Sequence, residues 1–374
     1  MNVDERTLTS IVRLATQRPA AQLVDWRTET IHGGIGDLGA GLVGVYRCAG
    51  HASDHGEIFP WSIVLKSAQG YGEQPIVDYR TREWLAYNSG FLSDLSGDIT
   101  APQCYGTTRQ PDGALQIWMV DLGGFGEQQW RADHYKLAAQ HFGAWNGAYL
   151  LTEGQPNHPW FCRSAATEWM QQAAPEVEVL RSSLTHPIVK RLYPDGHAQT
   201  ILQLWDERDR YLRTLQQLPQ TICHNDAFRR NLHIHYGATG VPQVTAIDWT
   251  YLGWGAIGEE LAALVMGNLE FHAIPWAQAE AFADMSFQAY LSGLRQAGWR
   301  GDPQLVRLGF TAAATLKYSF PYVLSKFFTE EGQAWLSTMF NDQPLHTANK
   351  SYQERHFVFA LAEEARDLMG KLGC

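Results

Sequence analysis

Two hydrophobic rhythms run along the chain. Residues 7–17 put Leu8, Ile11, Val12 and Leu14 on a mostly apolar face, the spacing of a helix. From residue 30 the rhythm changes. A glycine-rich stretch over 33–44 leads into a β-like run at 43–48, and a second run follows at 62–66. Residues 78–92 return to helical spacing, with Trp84, Leu85 and Tyr87 among the apolar positions. The run 116–120 (Gln-Ile-Trp-Met-Val) reads as a buried strand. It ends at Asp121-Leu122-Gly123-Gly124, which reads as a linker. Beyond it the texture is helical: 135–151, 165–184 and 200–218 read as helices. Strand-like runs at 232–235 and 244–247 interrupt, and further helices follow over 259–326 and 352–369. Strands first and helices after favour an α+β chain over alternating βαβ units. The expected division is a β-rich region over 1–121 and a larger helical region over 122–374.

Composition narrows the class. Of 374 residues, 45% are hydrophobic, enough to fill a core, so a disordered chain is excluded. With 39 acidic against 29 basic side chains the formal charge is −10, which argues against a broad nucleic-acid surface. The first six residues carry no basic region before an apolar run, and no stretch approaches the ~20 apolar residues that span a bilayer. The five cysteines are spread widely with no CxxC pair, so free thiols are expected rather than disulfides or a zinc site. These features point to a cytoplasmic protein with no membrane or nucleic-acid partner.

The densest chemistry lies at His224-Asn225-Asp226-Ala227-Phe228-Arg229-Arg230-Asn231, in the order H-x-D-x-x-x-x-N. Asp248 follows at the end of the apolar run Ala246-Ile247. Phosphoryl transfer asks for these residue types. A carboxylate must orient an acceptor hydroxyl and take its proton, and magnesium on the nucleotide phosphates needs oxygen ligands. Alone, Asp226 reads as a turn cap and Asp248 as a strand end, and an isolated HxD recurs by chance. The combined order favours catalysis.

These residues resemble the aminoglycoside phosphotransferase and choline kinase group, small-molecule kinases with a protein-kinase-like fold. The resemblance spans residues 30–317 and is specific over 223–261. It implies a bilobed α+β fold, with a nucleotide-binding lobe over 1–121 and a catalytic and acceptor-binding lobe over 122–374. It implies Asp226 as catalytic base, Asn231 and Asp248 as magnesium ligands, and Lys66 on the nucleotide phosphates, paired with Glu83. It places the hinge at 119–122, where backbone groups around Val120 and Leu122 would bind adenine. The implied nucleotide is ATP, with GTP as the alternative, and the implied partner is a small molecule that offers a hydroxyl.

Residues 39–44 match G-x-G-x-x-G literally. A dinucleotide site would need a following helix and an acid about 20 residues on. Here the strand-like run 45–48 follows, and no acid occurs before Asp54. A hairpin over phosphates fits better, with Gly36, Gly39 and Gly41 as binding positions and its tip at either 33–36 or 39–41.

The chain also departs from kinases that act on proteins. Those usually carry Lys two residues after the catalytic Asp, and here that position is Phe228. Arg229 and Arg230 follow, either on the γ-phosphate or structural. No DFG or Ala-Pro-Glu segment occurs. Glu260-Leu261 stands where the family commonly has Asp-Leu, which leaves the role of Glu260 open. His224 is expected to hold the catalytic loop. His233 and His235 read as exposed strand residues, and His141 as helix packing. Two other readings remain: a nucleotide-binding pseudokinase or scaffold, and a nicotinamide oxidoreductase built on the glycine motif.

Overall fold

The computed structural model describes residues 3–31, 43–69, 79–123, 129–236, 240, 242–340 and 344–373. The chain divides into two compact units. One comprises Met1–Leu95, Thr100–Gln128 and Thr245–Thr250; the other comprises Ser96–Ile99, Gln129–Val244 and Tyr251–Cys374.

The first unit opens with α1 (Glu5–Thr16). The Asp4 carboxylate caps it by accepting the Thr7 N–H at 2.8 Å, and Gln17 ends it in the left-handed region. Strands β1 (Gln22–Thr30), β2 (Val43–Asp54), β3 (Glu57–Ala68), β4 (Cys104–Arg109) and β5 (Leu115–Val120) form a five-stranded antiparallel sheet in the order β1-β2-β3-β5-β4. Strands β2 and β3 are one long hairpin, running from Val43 opposite Ala68 to Asp54 opposite Glu57. It closes at His55 and Gly56, both at positive φ, as a two-residue hairpin turn of this hand requires. Helix α2 (Tyr79–Asn88) follows β3. The core packs Leu8, Ile11 and Val12 of α1 with Cys48, Ile63, Leu65 and Trp118 of the sheet. Burial of each large side chain contributes about 1.5–3 kcal/mol. Leu14, expected on the apolar face, is exposed.

The second unit is mostly helical: α3 (Ala132–Leu151), α4 (Ala165–Ser182), α5 (His197–Gln217), α6 (Glu260–Ala262), α7 (Ala279–Gln296), α8 (Pro303–Tyr318), α9 (Glu330–Phe340) and α10 (Pro344–Leu372). A π-helical stretch, Ala263–Gly267, continues α6. Helix α4 runs through Pro175, which withholds one backbone donor from its ladder. Helices α3 and α7 approach closely, since a Cβ at Gly143 would lie 2.1 Å from the Tyr290 carbonyl oxygen and one at Gly293 would lie 1.9 Å from that of Gln140. Helix α8 is tied to α10 by Arg307, whose Nε and Nη2 donate to Glu364 at 2.6 and 2.8 Å. Among short strands, β6 (Gln220–Cys223) pairs antiparallel with β9 (Gly253–Ala256). Strands β7 (Leu232–Tyr236) and β8 (Pro242–Ala246) follow the loop after β6, and β8 carries the chain into the first unit. Among the described residues, no helix is long and apolar enough to cross a membrane.

Candidate active site

In the first unit, the alternation of β3 buries Ile63 and Leu65 on one face and sends Lys66 to the other. The Lys66 ammonium lies 2.8 Å from Asp248 Oδ1 and also pairs with Glu83 Oε2. Glu83, on α2, is buried, and its Oε1 accepts the Trp249 N–H at 3.3 Å. The neighbouring Arg82 donates to the Thr250 carbonyl. Two successive residues of α2 therefore hold the segment around Asp248. Asp248 itself adopts φ 61°, a left-handed conformation that Asp tolerates better than most residues. Its Oδ1 also accepts the Thr250 hydroxyl. Burial alone would push the Lys66 pKa down, but the carboxylates of Asp248 and Glu83 outweigh it and hold the ammonium charged.

Val120 ends β5, and its N–H donates to the Gln103 carbonyl at 2.9 Å. Leu122 is exposed. Asp121, between them, accepts Arg47 Nε at 2.8 Å, the Ser62 hydroxyl at 2.5 Å and the Gly123 N–H at 3.0 Å. Gly36, Gly39 and Gly41 lie outside the described residues.

In the second unit, a buried polar network fixes the approach to the catalytic loop. Asn146 of α3 donates to the Ile222 carbonyl at 2.8 Å and accepts the Tyr290 hydroxyl at 2.7 Å, while Thr221 donates to the Asn146 carbonyl at 2.6 Å. The loop itself hangs on Glu260. Its Oε2 accepts the His224 N–H at 2.7 Å and its Oε1 the Asn225 N–H at 3.0 Å. Burial pushes Glu260 up to about 8, against the pull of those two N–H donors. Asn225 takes φ 65°, and its amide donates to the Tyr251 carbonyl at 3.0 Å. Such a conformation in a buried non-glycine residue costs of order 1–3 kcal/mol and concentrates at functional sites. His224 Nδ1 accepts the Asp226 N–H at 3.2 Å, so the histidine braces the loop from within.

Asp226 thus stands on an anchored turn. Its Oδ2 accepts Asn231 Nδ2 at 3.0 Å, and the same amide nitrogen donates to the Asp226 carbonyl at 2.9 Å. Asn231 spends its amide N–H on Asp226, so its Oδ1 is the atom it can offer a cation. That oxygen, and in the first unit the carboxylate of Asp248, are each hard donors of the kind a divalent cation takes. Asp226 Oδ1 accepts Lys317 Nζ at 2.7 Å.

The structure brings Lys66, Glu83 and Asp248 together in the first unit, and Asp226 and Asn231 in the second. Lys317 was not singled out from the sequence: it ends an apolar helix and carries no spacing relation to Asp226. The role of Glu260, left open by the sequence, is to hold two loop amides. His141 is buried in α3, 3.9 Å from Asp98; on β7 His235 is exposed as expected, whereas His233 is half-buried.

Residues 163–301 match the phosphotransferase enzyme family, APH. Comparison with curated proteins gives no match. Among solved structures, an amicoumacin kinase in complex with AMP-PNP, Ca2+ and Ami is similar at a TM-score of 0.53 and 15% identity, over 93% of this chain and 94% of the other. A choline kinase from Cryptosporidium parvum gives 0.53 and 15%, over 94% and 96%. An ethanolamine kinase from Plasmodium vivax gives 0.52 and 13%, over 98% and 91%. The fold is therefore α+β and protein-kinase-like, and the resemblance to small-molecule phosphotransferases holds.

Proposed function

We propose that the protein is an ATP-dependent phosphotransferase that moves the γ-phosphoryl group to a hydroxyl of a small molecule. The observation that carries this reading is the carboxylate of Asp226, held on a buried, strained turn with Asn231 on one oxygen. The acceptor hydroxyl binds Asp226, which orients it and takes its proton. The acceptor oxygen forms the new bond to the γ-phosphorus, the bond from that phosphorus to the β–γ bridging oxygen breaks, and ADP leaves with the electron pair. Lys66, set by Glu83, binds nucleotide phosphates in this scheme, and backbone groups at Val120 and Leu122 take the base. Asn231 and Asp248 would hold Mg2+, which when bound neutralises phosphate charge. The AMP-PNP in the amicoumacin kinase complex supports an adenine nucleotide.

The test is transfer of label from γ-labelled ATP to a panel of hydroxyl compounds, including aminoglycosides, choline-like alcohols, sugars and nucleosides. Labelled product with one acceptor class is expected. Nucleotide binding without transfer to any compound would favour a pseudokinase.

A further inference from the structure

Resting on the phosphotransferase reading, we infer that Lys317 is a ligand of the γ-phosphate and supplies the cation that the catalytic loop lacks at Phe228. Phe228 is committed elsewhere. Its ring stacks on Phe271 at 5.1 Å with an interplanar angle of 13°. It also packs on Gly267 in the π-helical stretch, where a Cβ would come within 2.9 Å of Phe228 Cβ. Arg230 lies over the same Phe271 ring, at 4.8 Å. The ammonium beside Asp226 instead comes from the last turn of α8.

That ammonium is held in place. It donates to Asp226 Oδ1 at 2.7 Å and lies 3.4 Å from the Asn225 carbonyl oxygen. It sits 4.2 Å from the centroid of the Trp169 ring, and its side chain is only 14% exposed. An ammonium has three N–H donors. Two face Asp226 and Asn225, and a phosphate oxygen can take the third in competition with the Trp169 ring and the charge of Glu270. Direct transfer fixes where that oxygen must be. The acceptor hydroxyl is hydrogen-bonded to Asp226 and stands about 3–3.5 Å from the γ-phosphorus before attack. The equatorial oxygens of that phosphoryl group then fall within reach of a cation in contact with the base. Charge on those oxygens is what a kinase site must neutralise.

A lysine that only neutralises Asp226 would not distinguish ATP from ADP; a γ-phosphate ligand would. The experiment is calorimetric titration of the full chain with Mg2+–AMP-PNP and with Mg2+–ADP. For Lys317→Met, AMP-PNP affinity should fall by about tenfold or more, the worth of one charge-assisted hydrogen bond, with ADP affinity within about twofold. Lys317→Arg should recover most of the AMP-PNP affinity. Asp226→Asn, which frees the ammonium from its carboxylate, should raise the AMP-PNP preference, and adding Lys317→Met should cancel that gain. Equal weakening of both nucleotides, or an unchanged preference in Asp226→Asn, overturns the assignment and leaves the phosphotransferase reading standing. A wild-type chain that binds neither nucleotide overturns both.

Discussion

Glu260→Ala should unfold the catalytic loop before it disturbs anything else. The Glu260 carboxylate is the acceptor for the His224 and Asn225 N–H groups, at 2.7 and 3.0 Å. Both residues are at most 1% exposed, so water does not replace the lost acceptor. Each orphaned buried donor costs about 1–3 kcal/mol, which sets the penalty at about 2–6 kcal/mol. That is a large share of the ~5–15 kcal/mol that holds a folded domain together. Glu260→Gln keeps one acceptor oxygen but turns an amide donor on the other N–H, so it should lose about half as much. Urea unfolding measures the stability change, and hydrogen exchange at the amides of His224 and Asn225 localises it. An alanine variant within about 1 kcal/mol of wild type, or unchanged exchange at those amides, would refute Glu260 as the loop's anchor.

The same residue sets a pH dependence. A carboxyl ordinarily at 4.5 that stands at about 8 when folded keeps a proton the unfolded chain has released, so stability should fall as pH rises from 4.5 toward 8 and level off above. Urea midpoints across that window should show the fall, and Glu260→Gln should reduce it, the remainder belonging to Glu259 and Glu270, which burial also raises to about 7. Lys66→Met leaves Glu83 buried without its cation, and should cost about 3–5 kcal/mol in urea unfolding. Adding Glu83→Gln should return more than half, and a double variant no better than the single would contradict the pair. Asp248→Ala should remove the Mg2+ dependence of nucleotide affinity in titrations with and without the metal; an unchanged metal dependence would exclude the ligand role.

Legibility from sequence followed the type of signal. Lys66, Asp226, Asn231 and Asp248 stand out in the sequence because short motifs in or beside strand-like runs carry their chemistry in chain order, and Glu83 stands out only by its place in a helix-like run after Lys66; the structure groups Lys66 with Glu83 and Asp248, and Asp226 with Asn231. The α+β class followed from strands preceding helices. Strand β1 was missed because its sequence, Gln-Leu-Val-Asp-Trp-Arg-Thr-Glu-Thr, lies largely exposed and shows no apolar alternation. Strand β4 was missed for a similar reason: Cys-Tyr-Gly-Thr-Thr-Arg carries few large apolar residues. In β2 and β3 the apolar runs at 43–48 and 62–66 mark only the half of the hairpin away from its turn. Lys317 was invisible because its partnership with Asp226 is made by packing of α8, not by spacing. Glu260 was visible as a residue but not as an anchor, because its partners are backbone N–H groups that every sequence carries.

The central claim is that Asp226 activates a hydroxyl for attack on ATP. Its most direct test is transfer of labelled γ-phosphate by Asp226→Ala, measured with the acceptor found in the hydroxyl panel, alongside nucleotide titration of the same variant. Loss of a positioned base should lower the transfer rate by about 10²–10⁴-fold while nucleotide binding persists. Transfer near the wild-type rate would contradict the account.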